Sequence, residues 1–295
     1  MASGSPEPAK PSTGADAGAS RRQAQRPRRE PLWGLRRSLP RSYRLPFTLA
    51  LPSLLLLAWG LLTLGSQPVL NELFLPSPLR VVQATLQMLF EHTLVDAILA
   101  STGRIVVAFL AAALVAVPLG VLMGAFEPIN RLCEPIMAPL RYMPISAFIP
   151  LLILWLGIGE AQKVAFLFLG VFVYLLPVVV NAIRAVPEEL VQTALTLGAT
   201  RWQVLRTVLV PAALPDIFDS FRVMNAISWT YVILAEFVNA RSGLGYLIQL
   251  SGNHLRTAQV FSGIMIIGII GLTTDAMIRT LNRWLFRWRE QQQGG

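Results

Sequence analysis

The sequence predicts an all-α, polytopic membrane protein with about six transmembrane helices, and three observations carry that expectation. Of 295 residues, 54% are hydrophobic and 14% charged, where a soluble domain carries about 25% charged residues. Crossing ~30 Å of hydrocarbon takes about 20 apolar residues at 1.5 Å each, and runs of that order fall at Pro46–Ser66, Ala97–Ala125, Pro135–Ile158, Val164–Arg184, Ile217–Val238 and Gln259–Ile278. The third observation is arginine placement. Lys10 and nine arginines from Arg21 to Arg44 precede the first run, and Arg279, Arg283, Arg287 and Arg289 follow the last. Cytoplasmic segments collect Lys and Arg, so both termini are expected inside, together with Arg131, Arg184, Arg201 and Arg206; Arg80, Lys163, Arg241 and Arg256 fall outside.

In chain order, residues 1–45 form a basic tail too poor in large apolar side chains to order itself. Residues 46–66 follow as the first span. The run Leu45–Leu64 is too long for a signal-peptide core and lacks a small-x-small cleavage site behind it, so it is expected to be retained. Residues 67–91 make an external loop, in which Val82, Leu86, Leu89 and Phe90 put apolar groups on one side of a helix. An interfacial helix and an ordinary packed connection both fit that spacing. The remainder, 92–286, is the membrane core, followed by a short cytoplasmic tail at 287–295. The net charge of +9 sits in the tail and beside the spans, where orientation and anionic headgroups account for it; no nucleic-acid partner is expected.

Within the second span, Gly120 and Gly124 make a small-xxx-small pattern that permits close helix approach. The third span opens with Pro135, Pro139, Pro144 and Pro150. Each proline beyond a first turn removes a backbone hydrogen bond, and lipid supplies no replacement. The segment is therefore expected inside the bundle, either as a packing kink or beside a water-lined path.

Between the fourth and fifth runs lies a polar, punctuated segment, 187–211. Pro187 suits a first helical turn, and Glu188 and Glu189 suit the positive helix start. Gly198 suits a left-handed terminus. Thr200 with Gln203 forms a capping box that starts a second helix carrying Val204, Leu205, Val208 and Leu209, expected to stop before Pro211. The product is a compact cytoplasmic knob of two short helices.

The spacing Gln192-Thr193-Ala194, three residues, Gly198, nine residues, Val208-Leu209-Val210-Pro211 resembles the signature of importer-type ABC permeases: Glu-Ala-Ala, three residues, Gly, nine residues, Ile-x-Leu-Pro. Ile149-Pro150-Leu151, Trp155 to Glu160, Pro211 to Pro215, and Ala235-Glu236 followed by Gly243-Leu244-Gly245-Tyr246 are similar to the nitrate, sulfonate, taurine and bicarbonate branch. The resemblance covers about His92 to Trp284. It implies a type I ABC importer permease fold in a bacterial inner membrane. It also implies an ATPase-coupling role for Glu188, Glu189, Gln192, Thr193, Ala194, Gly198, Ala199, Thr200 and Arg201. Here Gln192 replaces the signature Glu and Thr193 the first Ala.

The implied partners are two ATP-binding subunits, a second permease copy, membrane lipid and a periplasmic or lipid-anchored substrate-binding protein. No cofactor is expected on this chain: neither lysine, Lys10 before Pro11 nor Lys163 before Val164, fits a phosphate-cradling loop, so ATP and Mg²⁺ belong to the partner ATPase. Candidates for the pathway or its gate are Met143, Ser146, Asn225, Ser228, Trp229, Tyr231 and Glu236. A charge at mid-bilayer costs roughly 2.5–3.5 kcal/mol, so Glu236 is expected in water or opposite Arg241, in a gating or structural role more than in substrate contact. Asp275 and Arg279 have the spacing of a helix ion pair. Cys133 alone can form neither an intrachain disulfide nor a thiolate cluster, and His92 and His254 lack ligand spacing, so neither a catalytic nor a metal site is expected. The alternatives to an importer permease are an integral-membrane enzyme and a membrane scaffold or exporter.

Overall fold

The computed structural model describes residues 41–63 and 71–287. The expected basic tail before residue 41 and most of the short tail after the last helix lie outside those residues. The chain divides at Leu56 into two units. Helix α1 (Arg41–Thr63) begins in the first, and its apolar length is almost wholly unburied, as a lipid-facing span requires.

In the second unit, α2 (Pro78–Phe90) starts with Ser77, whose Oγ accepts from the Arg80 N–H, and with Pro78, whose missing N–H costs nothing there. Val81 and Met88 are buried, whereas Val82, Leu86, Leu89 and Phe90 face outward. The apolar stripe read from sequence is therefore the outer face, and a second apolar face packs inward.

Helices α3 (Thr93–Ala125) and α6 (Glu160–Arg184) form the central pair. Ala108, Ala112 and Ala116 recur every four residues and are fully buried, which leaves one side of α3 flat enough for α6 to lie against it. A Cβ on Gly120 would fall 2.8 Å from Cβ of Val179, and one on Gly124 2.7 Å from Cβ of Ile183. The two glycines are thus the contact surface itself.

Between this pair, the expected third span is not one helix. α4 (Glu127–Tyr142) ends at Met143, whose extended backbone (ψ 132°) is what a residue before proline adopts. A 3₁₀ turn (Ile145–Phe148) leads into α5 (Ile149–Leu156), and the two parts are bent by 96°. Pro135 and Pro139 stay within α4, so Pro144 makes the break.

After α6 come α7 (Glu188–Thr196) and α8 (Arg201–Val204). The second knob helix does not stop before Pro211. It passes through a π segment (Leu205–Leu209) directly into α9 (Val210–Phe237), with Pro211 in the first turn of α9. Widening the turn to π register takes up the irregularity left by the absent proline N–H. α10 (Leu244–Asn253) and α11 (Thr257–Leu285) complete the unit.

Among the described residues four helices, α1, α3, α6 and α11, are long and apolar enough to cross a membrane, and five spans result if α4 and α5 are taken together. α9, expected as a further span, has 28 residues but is more polar. Its Asn225, Ser228 and Glu236 are buried inside the bundle, so lipid need not solvate them.

Candidate functional site

The knob is built from two well-made helix ends. At the α7 terminus Gly198 takes φ +84°, the Ala199 N–H donates to the Ala194 carbonyl at 3.1 Å and the Gly198 N–H to Leu195 at 2.9 Å. This is a Schellman end, with two carbonyls satisfied through one left-handed residue. Thr200 then caps α8 reciprocally: its N–H donates to Gln203 Oε1 at 2.7 Å, and its Oγ1 accepts from the Gln203 N–H at 3.4 Å. Glu188, Glu189, Gln192, Thr193, Gly198, Thr200 and Arg201 are exposed, with Ala194 and Ala199 half-buried, and α7 has no buried residue at all.

Gln192 has a local reason. Its Nε2 donates to Glu188 Oε1 at 2.7 Å. A glutamate at that position would set two carboxylates four residues apart on one helix face, a repulsive pair. Beneath the knob, Trp202 packs on Phe126 at the α3–α4 junction, ring centres 5.8 Å apart, and Arg206 lies 5.6 Å over the Trp202 ring. These contacts and the buried Val204 and Leu205 tie an exposed segment to the membrane core.

At the opposite end of the core helices, one guanidinium joins three of them. Arg104 of α3, 5% exposed, donates through Nη1 to Glu236 of α9 at 2.7 Å. Through Nε and Nη2 it grips Glu160 of α6 at 2.5 and 2.7 Å. It also donates to the backbone carbonyl and hydroxyl of Ser242. Glu236 is fully buried and accepts from Ser101 Oγ and the Gly245 N–H, both at 2.7 Å. A Cβ on Gly243 (φ +115°) would lie 2.3 Å from the Glu236 carboxyl carbon, which explains the glycines of Gly243-Leu244-Gly245. Glu236 therefore meets Arg104, not Arg241. Sequence reasoning missed Arg104, Ser101 and the pairing role of Glu160, although a lone arginine within an apolar run is itself a signal.

The other pathway candidates do not converge. Met143 and Ser146 are exposed at the α4–α5 bend. Tyr231 packs edge-on to Phe166, and its ring occupies the space left by Gly170. Asn225 and Trp229 line a groove of about 870 Å³ between α9 and α11. Ser228 bonds only its own helix, at the Met224 carbonyl. Rungs at Arg222–Asp275, Asn225–Thr274 and Asp219–Asn282 join α9 to α11, and the expected Asp275–Arg279 pair is present at 2.5 Å. Among the described residues no group of His, Cys, Asp and Glu could hold a metal ion.

Long apolar helices, buried charges paired inside the bundle and an exposed, capped two-helix knob make this an α-helical integral-membrane protein. More particularly, residues 116–287 match the family of binding-protein-dependent transport system inner membrane components, and the chain belongs to that family. It is 32% identical to the taurine transport system permease protein TauC of Escherichia coli (strain K12), over 86% of this chain and 94% of that one. It is 31% identical to the "putative aliphatic sulfonates transport permease protein SsuC" of Bacillus subtilis (strain 168), over 83% and 88%. The fold matches an inward-facing MetNI methionine ABC transporter chain with TM-score 0.55 at 21% identity, covering 66% of this chain and 97% of that one. The protein is thus an inner-membrane permease subunit with the ABC importer permease fold, a transport subunit and not an enzyme.

Proposed function

We propose that the chain forms the inner-membrane pathway of an ATP-driven importer for a small organic sulfonate, taurine being the leading substrate. A separate ATPase, carrying ATP and Mg²⁺, drives it through the knob. Two copies of the chain related by a two-fold axis, two ATPase subunits and an outer substrate-binding protein make up the assembly. The knob faces the cytoplasm, and α2 and the 239–258 region face out. The observation that carries the reading is the knob: Glu188 to Arg201 present a largely exposed surface, stiffened by a Schellman end and a capping box and anchored through Trp202. The names of the two sulfonate-class relatives support the substrate. Nitrate and bicarbonate remain second choices, from the family branch read in the sequence.

In this reading Arg104 and Glu236 hold the outer ends of α3, α6 and α9 together, while Asn225 and Trp229 line a side of the pathway. The test is cross-linking. With Cys133→Ser as background, Thr193→Cys is expected to cross-link to the ATP-binding subunit that copurifies from native membranes. An intact complex in which Thr193→Cys and Gln192→Cys both stay uncrosslinked by reagents of short and long span contradicts the docking role.

A further inference from the structure

Amphipathic helix α4 turns one polar stripe toward α3 and α6. Asn130, Glu134, Met137 and Arg141, spaced four, three and four residues apart, share one helical face. They line a cavity of about 280 Å³ whose other wall belongs to α3 and α6 and includes Asn181 and Arg184. The opposite face of α4 carries Leu132 and Ile136, 74% and 63% exposed. At its start α4 also carries an outward ion pair, Arg131–Glu127, but Leu132 and Ile136 face out while Asn130, Glu134 and Arg141 face the cavity, and polar groups on that side suit a hydrated space inside a membrane protein.

The donors and acceptors in that space are of two kinds. Arg141 and Arg184 bring two positive charges and Glu134 one negative. Arg141 donates to Glu134, and Arg184 has only a loose contact, 3.5 Å, to Glu127, which lies outside the cavity lining. The lining is therefore net positive, and a guanidinium fork matches an oxyanion. Asn130 Oδ1 is buried with no hydrogen-bond partner, an acceptor waiting for a donor. It shares the α4 face with the Glu134 carboxylate one turn away. The volume lies below the range of about 300–1,000 Å³ typical of drug-sized ligands, so the occupant is small.

We propose that this cavity is a substrate site on the inner half of the pathway for a small aminosulfonate: the sulfonate on Arg184 and Arg141, the ammonium on Glu134 and Asn130 Oδ1. The proposal rests on the sulfonate-import reading and adds a site to it, with a preference for a zwitterion over a plain sulfonate.

The test uses the permease–ATPase complex in its native lipid, in a Cys133→Ser background, with Met137→Cys as reporter and Asn181→Cys as a second one. With each rate divided by that reagent's rate on a free thiol in solution, the anionic 2-sulfonatoethyl methanethiosulfonate is expected to label about tenfold faster than its trimethylammonium counterpart. Arg184→Gln with Arg141→Gln should remove that preference. Taurine should slow labelling more than ethanesulfonate at equal concentration, and Glu134→Gln should erase the difference. Equal or cation-favoured normalised rates at both reporters overturn the site, as does protection by phosphatidylglycerol vesicles without protection by taurine. Equal protection by taurine and ethanesulfonate overturns the zwitterion preference. Uptake of labelled taurine by the wild-type complex is measured in parallel: its absence beside an anion-selective cavity counts against the import reading and not against the site.

Discussion

Replacing Arg104 by methionine removes the cation between two carboxylates of unequal burial. Glu160 is 62% exposed in its side chain and can turn to water, whereas Glu236 is fully buried and keeps only Ser101 and the Gly245 N–H as donors. Breaking a buried pair from one side costs about 3–5 kcal/mol, because the remaining charge is stranded. At the roughly 2–4 °C per kcal/mol found for domains of 150–250 residues, that is a fall in melting temperature on the order of 10 °C. The assay is thermal unfolding of the solubilised complex followed by tryptophan fluorescence. Arg104→Met with Glu236→Leu, which removes both charges, should recover at least half the loss. Glu160→Gln alone should cost little. If Arg104→Met melts within two degrees of the wild type, or the double variant is no better than the single, then the guanidinium is not what stabilises the outer helix ends.

Other predictions concern the knob and the central helix pair. Gly198→Val forces a β-branched residue to φ +84°, at roughly 1–2 kcal/mol or more for the left-handed region; ATPase stimulation should be lost while the melting temperature of the membrane core is unchanged. Gln192→Glu replaces the bond to Glu188 by a like-charge pair worth about 0.2–0.5 kcal/mol, so hydrogen exchange across α7 should rise about twofold at neutral pH. Gly124→Ala puts a methyl 2.7 Å from Cβ of Ile183, and overpacking of this kind costs typically about 1–3 kcal/mol; a lower melting temperature with an intact knob is expected.

Much of this was legible in the sequence because it is local. The Gly198 turn, the Thr200–Gln203 box and the Gly120–Gly124 pattern depend on residues within a few positions of one another, and composition alone gives long apolar helices. What stayed hidden depends on distance along the chain. Arg104 meets Glu236 across 132 positions, and nothing near either residue names the other. The third span could be seen to be proline-rich, but which proline broke it depended on packing, and Pro144 rather than Pro135 or Pro139 carries the bend. Pro211 signalled a stop that the π segment bypassed. The pathway candidates include Glu236, which is bonded within the bundle, and Met143 and Ser146, which are exposed at the bend; the cavity-facing stripe of α4 depends on how that helix packs, which spacing alone does not give.

Sulfonate import driven by an ATPase docked on the knob is tested by uptake into proteoliposomes. With the permease, its copurifying ATPase and the substrate-binding protein reconstituted together, radiolabelled taurine should accumulate only when ATP and the binding protein are both present, and Gly198→Val should abolish accumulation. Accumulation that proceeds without ATP hydrolysis, or that survives Gly198→Val unchanged, rules out ATPase-driven import through the knob.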